Sequence, residues 1–153
     1  MSQRPAWLPL GALLLREGLI TSEQLELALM DQQQLGWRLG EILVSWGWVS
    51  SSAIATALAE QYGMEFLDLG SEPVDAATTV LLSAEDAERY QALPIRMLDD
   101  GVALVAIVDP TDVGSCEELR ERLGLPIRLA VADKEPLEAL MARVHPRAVG
   151  QVQ

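Results

Sequence analysis

The sequence has one cysteine, Cys116, and one histidine, His145, in 153 residues. A single cysteine excludes an internal disulfide framework and a cysteine-built metal cage, and it fits a reducing, cytoplasmic setting. Basic residues are few: eleven Lys and Arg face 23 Asp and Glu, for a net charge of −12, and the eleven form no run. Such a chain has no electrostatic footprint for DNA or RNA and is not drawn to anionic lipid. Any phosphate it binds must be held by a few placed groups. Long apolar runs are missing too. "GVALVAIV" (Gly101 to Val108) is strand-sized, far from the roughly 18 residues that span a bilayer. The N-terminus lacks the pattern of a signal peptide, and direct membrane insertion is not expected. Aromatics number seven, yet three of the four tryptophans, Trp37, Trp46 and Trp48, fall close together. Either they plug a small helical core, or they offer a contact surface to a partner or a planar ligand.

Catalytic patterns are also lacking. There is no Gly-rich phosphate loop followed by Lys-Ser/Thr, no nucleophile elbow and no histidine pair at zinc spacing. His145 stands beside Pro146 in an aperiodic tail, and Cys116 has no histidine near it in the sequence. The acidic stretches "EDAE" and "EELRE" read as solvated helix flanks. The expectation is therefore a non-enzyme with no catalytic residues, no metal site and no cofactor.

What the chain does have is a repeat. "PLGALLLREGLITSEQLELALMDQ" (residues 9–32) returns as "RLGEILVSWGWVSSSAIATALAEQ" (residues 38–61) after five intervening residues. The copies share Leu10/Leu39, Gly11/Gly40, Leu14/Leu43, Gly18/Gly47, Ser22/Ser51, Ala28/Ala57, Leu29/Leu58 and Gln32/Gln61. Each reads as a short helix, a glycine break and a longer helix. Gly18 and Gly47 stand where a left-handed residue ends a helix. Thr21 and Ser50 follow as N-caps, and Thr21 with Gln24 makes a capping box. Leu25, Ala28, Leu29 and Gln32 share one helical face, as do Ile54, Ala57, Leu58 and Gln61. Residues from about 8 to 63 are thus expected to form four helices in two related hairpins.

A boundary is expected between about Asp68 and Pro73, which makes residues 1–68 the repeat unit and 69–153 a second subdomain. Phe66 to Leu69 reads as extended. Residues from about Val74 to Tyr90 read as helical with a second start at Ser83. Two strands then meet at Asp99-Asp100-Gly101, a tight-turn signal. A helix closed by Gly124, a third strand "PIRLAVA" and a last helix capped by Asp133 complete a small α/β unit of about three strands. The fold class is α+β.

The start of each copy invites a ligand. Glycine there permits close approach to the backbone, and the amides of a first helical turn attract anions. Arg38 adds a guanidinium that can grip a phosphate or the edge of a guanine. Gln32 and Gln61 offer donors and acceptors on otherwise apolar faces, and the leucines between suit flat bases. Two copies match a ligand with two bases and two phosphates. Plain packing is the competing reading, because a tandem helical hairpin buries leucines for stability alone.

The pattern R-L-G-x-x-L-x-x-x-G, six residues, L-x-x-x-L-x-x-Q, twice, five residues apart, resembles the MshEN domain, the N-terminal domain of type II secretion and type IV pilus assembly ATPases. "LPIRMLDDGVALVAIVDPTDV" and "GLPIRLAVAD" in the second half are similar to it as well, so the likeness runs over roughly residues 8 to 144. The resemblance implies binding of cyclic di-GMP, a bacterial second messenger. It also implies the residues that would hold it: Arg38, Leu39, Gly40, Leu43, Ile54, Leu58 and Gln61 in the second copy, and Leu10, Gly11, Leu14, Leu25, Leu29 and Gln32 in the first. Asp109 resembles an acidic residue placed to face that site.

This chain departs from the pattern at Pro9, where the first copy should carry arginine. Proline donates no hydrogen bond and bears no charge, though it suits a helix entry. The loss is one charge-assisted contact, about 1.5–3 kcal/mol, or roughly ten- to a hundredfold in affinity. Arg4 on the N-terminal arm is a candidate replacement that nothing in the sequence requires. Two functions follow. One is a cyclic di-GMP receptor domain that regulates a secretion or pilus ATPase. The other is a docking module with a decayed nucleotide site, bound to such an ATPase or to a membrane-platform protein. The retained Arg38 and Gln61 favour the receptor; Pro9 and the acidic charge favour docking.

Overall fold

The structure is a computed structural model, and it describes residues 9–145. Arg4 and the tail beyond His145 therefore lie outside the described residues. The chain divides into two compact units between Gly63 and Met64. Each has its own core.

The first unit contains four helices: α1 (Leu10–Arg16), α2 (Ser22–Leu35), α3 (Leu39–Ser45) and α4 (Ser51–Gln61). The short helices end alike. Gly18 takes φ +75° and Gly47 φ +77°, a conformation costly for any residue with a Cβ. The turn lets the Leu19 N–H donate to the Leu14 carbonyl at 3.0 Å and the Gly18 N–H to that of Leu15 at 3.0 Å. Trp48 to Leu43 (3.1 Å) and Gly47 to Val44 (2.9 Å) repeat this in the second copy. These are the paired bonds that satisfy the last carbonyls of a helix. The longer helices begin on the expected caps. Thr21 and Gln24 exchange bonds of 3.1 and 2.9 Å between side chain and backbone, and Ser50 accepts from the Ala53 N–H at 3.1 Å.

The principal contacts run between copies: α1 packs on α4, and α2 packs on α3. Leu13, Leu14, Ile42, Leu43 and Ala28 are buried at the centre of the common core. Arg16 at the end of α1 bridges to Glu60 near the end of α4 at 2.8 Å. Both side chains are about half exposed, so the pair contributes at most about 1 kcal/mol.

The second unit holds a four-stranded mixed sheet in the order β1-β4-β3-β2: β1 (Glu65–Leu67), β2 (Ala92–Met97), β3 (Ala103–Ile107) and β4 (Ile127–Ala132). β1, β4 and β3 are parallel, and β2 is antiparallel to β3 with a register shift between Pro94 and Arg96. Around the sheet lie α5 (Ala76–Thr79), α6 (Ala84–Tyr90), α7 (Val113–Leu123) and α8 (Lys134–Val144). β3 and β4 are buried almost throughout, as parallel strands covered on both faces are.

Two expectations are corrected here. The sheet has four strands rather than about three, and the boundary falls at Gly63/Met64 rather than after Asp68. One fact explains both. The extended stretch near Phe66 pairs with β4, Glu65 opposite Ala130 and Leu67 opposite Ala132, and so belongs to the sheet instead of closing the helical unit. The helical stretch read from Val74 to Tyr90 divides at the second start read at Ser83, whose hydroxyl accepts from the Asp86 N–H at 3.1 Å.

Candidate functional site

The starts of the two motif copies meet. A Cβ built on Gly11 would lie 2.8 Å from Cδ1 of Leu25 in its own copy and 3.4 Å from Cδ2 of Leu39 in the other. On Gly40 it would lie 3.0 Å from Cγ2 of Ile54 and 3.7 Å from Cδ2 of Leu10. The relation is reciprocal: each glycine faces one residue of its own long helix and the leading leucine of the other copy. The two motif starts are thus related by an approximate twofold. Both glycines are buried. The atoms nearest the position a Cβ would take are the chain's own apolar side chains.

The residues singled out in the sequence separate by burial. Leu14 and Leu43 are fully buried, and Ile54 is 8% exposed; their side chains belong to the core of the first unit. Leu10, Leu25, Leu39 and Leu58 are half-buried and pack against that core, which leaves each a partly open surface. Leu29 is 42% exposed, more open than its counterpart Leu58. Gln32 and Gln61 are half-buried on the last turns of α2 and α4. The contacts around the two glycines therefore unite Leu10, Gly11, Leu25, Leu39, Gly40 and Ile54. Asp109 belongs to the second unit. There Oδ1 accepts from the Thr111 N–H at 3.0 Å and from its hydroxyl, shaping the turn after β3.

Arg38 is the N-cap of α3, exposed, with φ −72° and ψ 150°. Pro9, its counterpart, caps α1 with φ −59° and ψ 154°. The backbone is therefore nearly the same in both copies, and only the side chain and the N–H differ. Sequence reasoning passed over Glu41. Its Oε1 accepts the Arg38 backbone N–H at 3.0 Å, the half of a capping box that a residue three places into a helix supplies. The signal was present as "RLGE", with the glutamate three residues after the cap.

The tryptophans divide. Trp48 packs on the core of the first unit, and its ring meets that of Trp46 edge-on, with centroids 4.7 Å apart. Trp46 and Trp37 remain 39% and 47% exposed. Among the described residues no cluster of His, Cys, Asp and Glu is arranged to hold a metal, and no helix is long and apolar enough to cross a membrane.

Comparison with known proteins places this architecture. The MshEN domain profile matches residues 62–151, more than half of the chain. That match lies on the second unit, and the two motif copies precede it. Longer alignments include the repeat. The type IV pilus assembly ATPase PilB of Thermus thermophilus is 32% identical over 138 residues, 90% of this chain but 16% of PilB. Bacteriophage adsorption protein B of Escherichia coli K12 is 32% identical over 123 residues, 80% of this chain and 16% of that protein. The chain thus spans about a sixth of the length of either relative. A solved structure of MshE with cdg superposes with a TM-score of 0.80 at 32% identity, over 90% of this chain and 99% of that one. By fold, by profile and by relatives, the chain belongs to the MshEN domain family.

Proposed function

We propose that the chain is a cyclic di-GMP-binding regulatory domain that acts in the cytoplasm within a type II secretion or type IV pilus-type system. The observation that carries this reading is the reciprocal packing at Gly11 and Gly40. It gives the domain two equivalent motif starts about an approximate twofold, and cyclic di-GMP is itself twofold, with two guanines and two phosphates. The similarity to MshE with cdg, read as cyclic di-GMP, supports the same ligand class. Arg38 would make the charged contact. Gln32 and Gln61 would supply polar ones, and the open parts of Leu10, Leu25, Leu29, Leu39 and Leu58 would pack on the bases. The domain performs no chemistry in this reading; ATP hydrolysis belongs to a motor that it regulates.

A docking function is the second reading, and Pro9 favours it. One of the two motif arginines is absent, while Trp37 and Trp46 present aromatic surface to solvent. In that case a secretion or pilus ATPase, or a membrane-platform protein, is the partner.

Isothermal titration with cyclic di-GMP, with GTP and ATP as controls, separates the two. Selective binding at micromolar affinity or tighter establishes the receptor. No heat at high micromolar ligand, with the protein folded by circular dichroism, rejects it in favour of docking.

A further inference from the structure

We infer that Glu41 is a positioning residue for the ligand contact of Arg38, and that it exists in one copy only because only that copy has an arginine to hold. The inference rests on the cyclic di-GMP reading. An N-cap is normally Ser, Thr, Asp or Asn, whose side-chain oxygen accepts a first-turn amide. Arginine carries no acceptor, so Arg38 is a poor cap on its own and its backbone is weakly determined. Glu41 compensates from inside the helix by accepting the Arg38 N–H at 3.0 Å. This holds Arg38 near φ −72° and ψ 150° and so sets the direction in which its side chain leaves α3.

The first copy supplies an internal control. Pro9 stands in place of Arg38, and Ala12 in place of Glu41. Proline has no N–H to satisfy and its ring fixes φ, so no acceptor is needed three residues on. The two copies thus reach the same backbone by different means, one by a ring and the other by a hydrogen bond. Arginine and glutamate occur together; so do proline and alanine.

The carboxylate's charge has no part in this role, since it would repel an anionic ligand at Arg38. An acceptor oxygen is all the role needs, and glutamine keeps one.

The test is titration with cyclic di-GMP of the unaltered chain, Glu41→Ala, Glu41→Gln, Arg38→Lys and the double variant Arg38→Lys/Glu41→Ala, each at a temperature where circular dichroism shows it folded. Glu41→Ala is expected to weaken binding about three- to tenfold, a loss the size of a missing cap, and Glu41→Gln to recover most of it. Arg38→Lys keeps a cation but loses the guanidinium fork. In that background the cost of Glu41→Ala should shrink, the signature of two residues acting as one. Full-strength binding by Glu41→Ala, or an undiminished cost in the Arg38→Lys background, overturns the inference while the receptor reading stands. No binding by the unaltered chain overturns both.

Discussion

The side chain of Leu39 reaches across to Gly11: its Cδ2 lies 3.4 Å from the point that a Cβ on Gly11 would occupy. Leu10 reaches Gly40 in the same way at 3.7 Å. The glycines are therefore where the two copies lock together, and the side chains around each decide how it will respond to an added methyl.

Gly11→Ala and Gly40→Ala should not cost the same. Alanine improves the propensity of a helix by roughly 1 kcal/mol, which offsets part of any clash. At Gly11 the nearest obstacle is Cδ1 of Leu25, at 2.8 Å, the far end of a flexible and half-buried side chain that can turn away. At Gly40 the obstacle is Cγ2 of Ile54, at 3.0 Å, on a buried, β-branched residue whose χ1 is nearly fixed in a helix. Gly40→Ala is expected to lose about 1–2 kcal/mol and Gly11→Ala less than about 1 kcal/mol. Urea denaturation midpoints check this; equal losses would show that Ile54 yields as readily as Leu25.

Leu14 and Leu29 both belong to the motif, but they should fail differently. Leu14 is fully buried, so Leu14→Ala should destabilise the first unit by about 2–5 kcal/mol. Leu29 is 42% exposed. Leu29→Ala should leave thermal stability nearly unchanged while weakening cyclic di-GMP binding several-fold. Calorimetric melting and ligand titration of the two variants, side by side, separate the core role from the surface role.

The proline departure can be reversed. Pro9 holds φ −59° and ψ 154°, angles that Arg38 nearly shares and that any residue adopts. Pro9→Arg should therefore fold normally and tighten nucleotide binding about tenfold. Arg38→Ala should abolish binding with the circular dichroism spectrum intact. Unchanged affinity in Pro9→Arg would mean that this position does not meet the ligand; unchanged affinity in Arg38→Ala would move the site away from the motif.

Cys116 should be a slow nucleophile. Burial raises its thiol pKa above the ordinary value, and the neighbouring Asp112 carboxylate raises it further. Only the thiolate reacts, so at mildly alkaline pH its fraction is smaller than in free cysteine. The rate with an aromatic disulfide reagent should fall below that of free cysteine and should keep climbing above the pH at which free cysteine levels off. A rate equal to free cysteine would show an open, unshifted thiol.

The sequence by itself determined the local structure. Gly18 and Gly47 terminate helices because the bonds they permit lie within six consecutive residues, and Thr21, Ser50 and Ser83 start helices through partners three residues away. The turn at Gly101 is local in the same sense. The tertiary structure decided which surfaces meet. An apolar face at 3.6-residue spacing states that a helix is covered and leaves open by what, so either copy could have satisfied the leucines of the other or its own. Packing chose the exchange, α1 on α4 and α2 on α3, and placed the glycines at its centre. The affiliation of β1 was invisible for the same reason: three extended residues pair with whichever strand presents free backbone groups, and that strand, β4, lies more than sixty residues further along the chain.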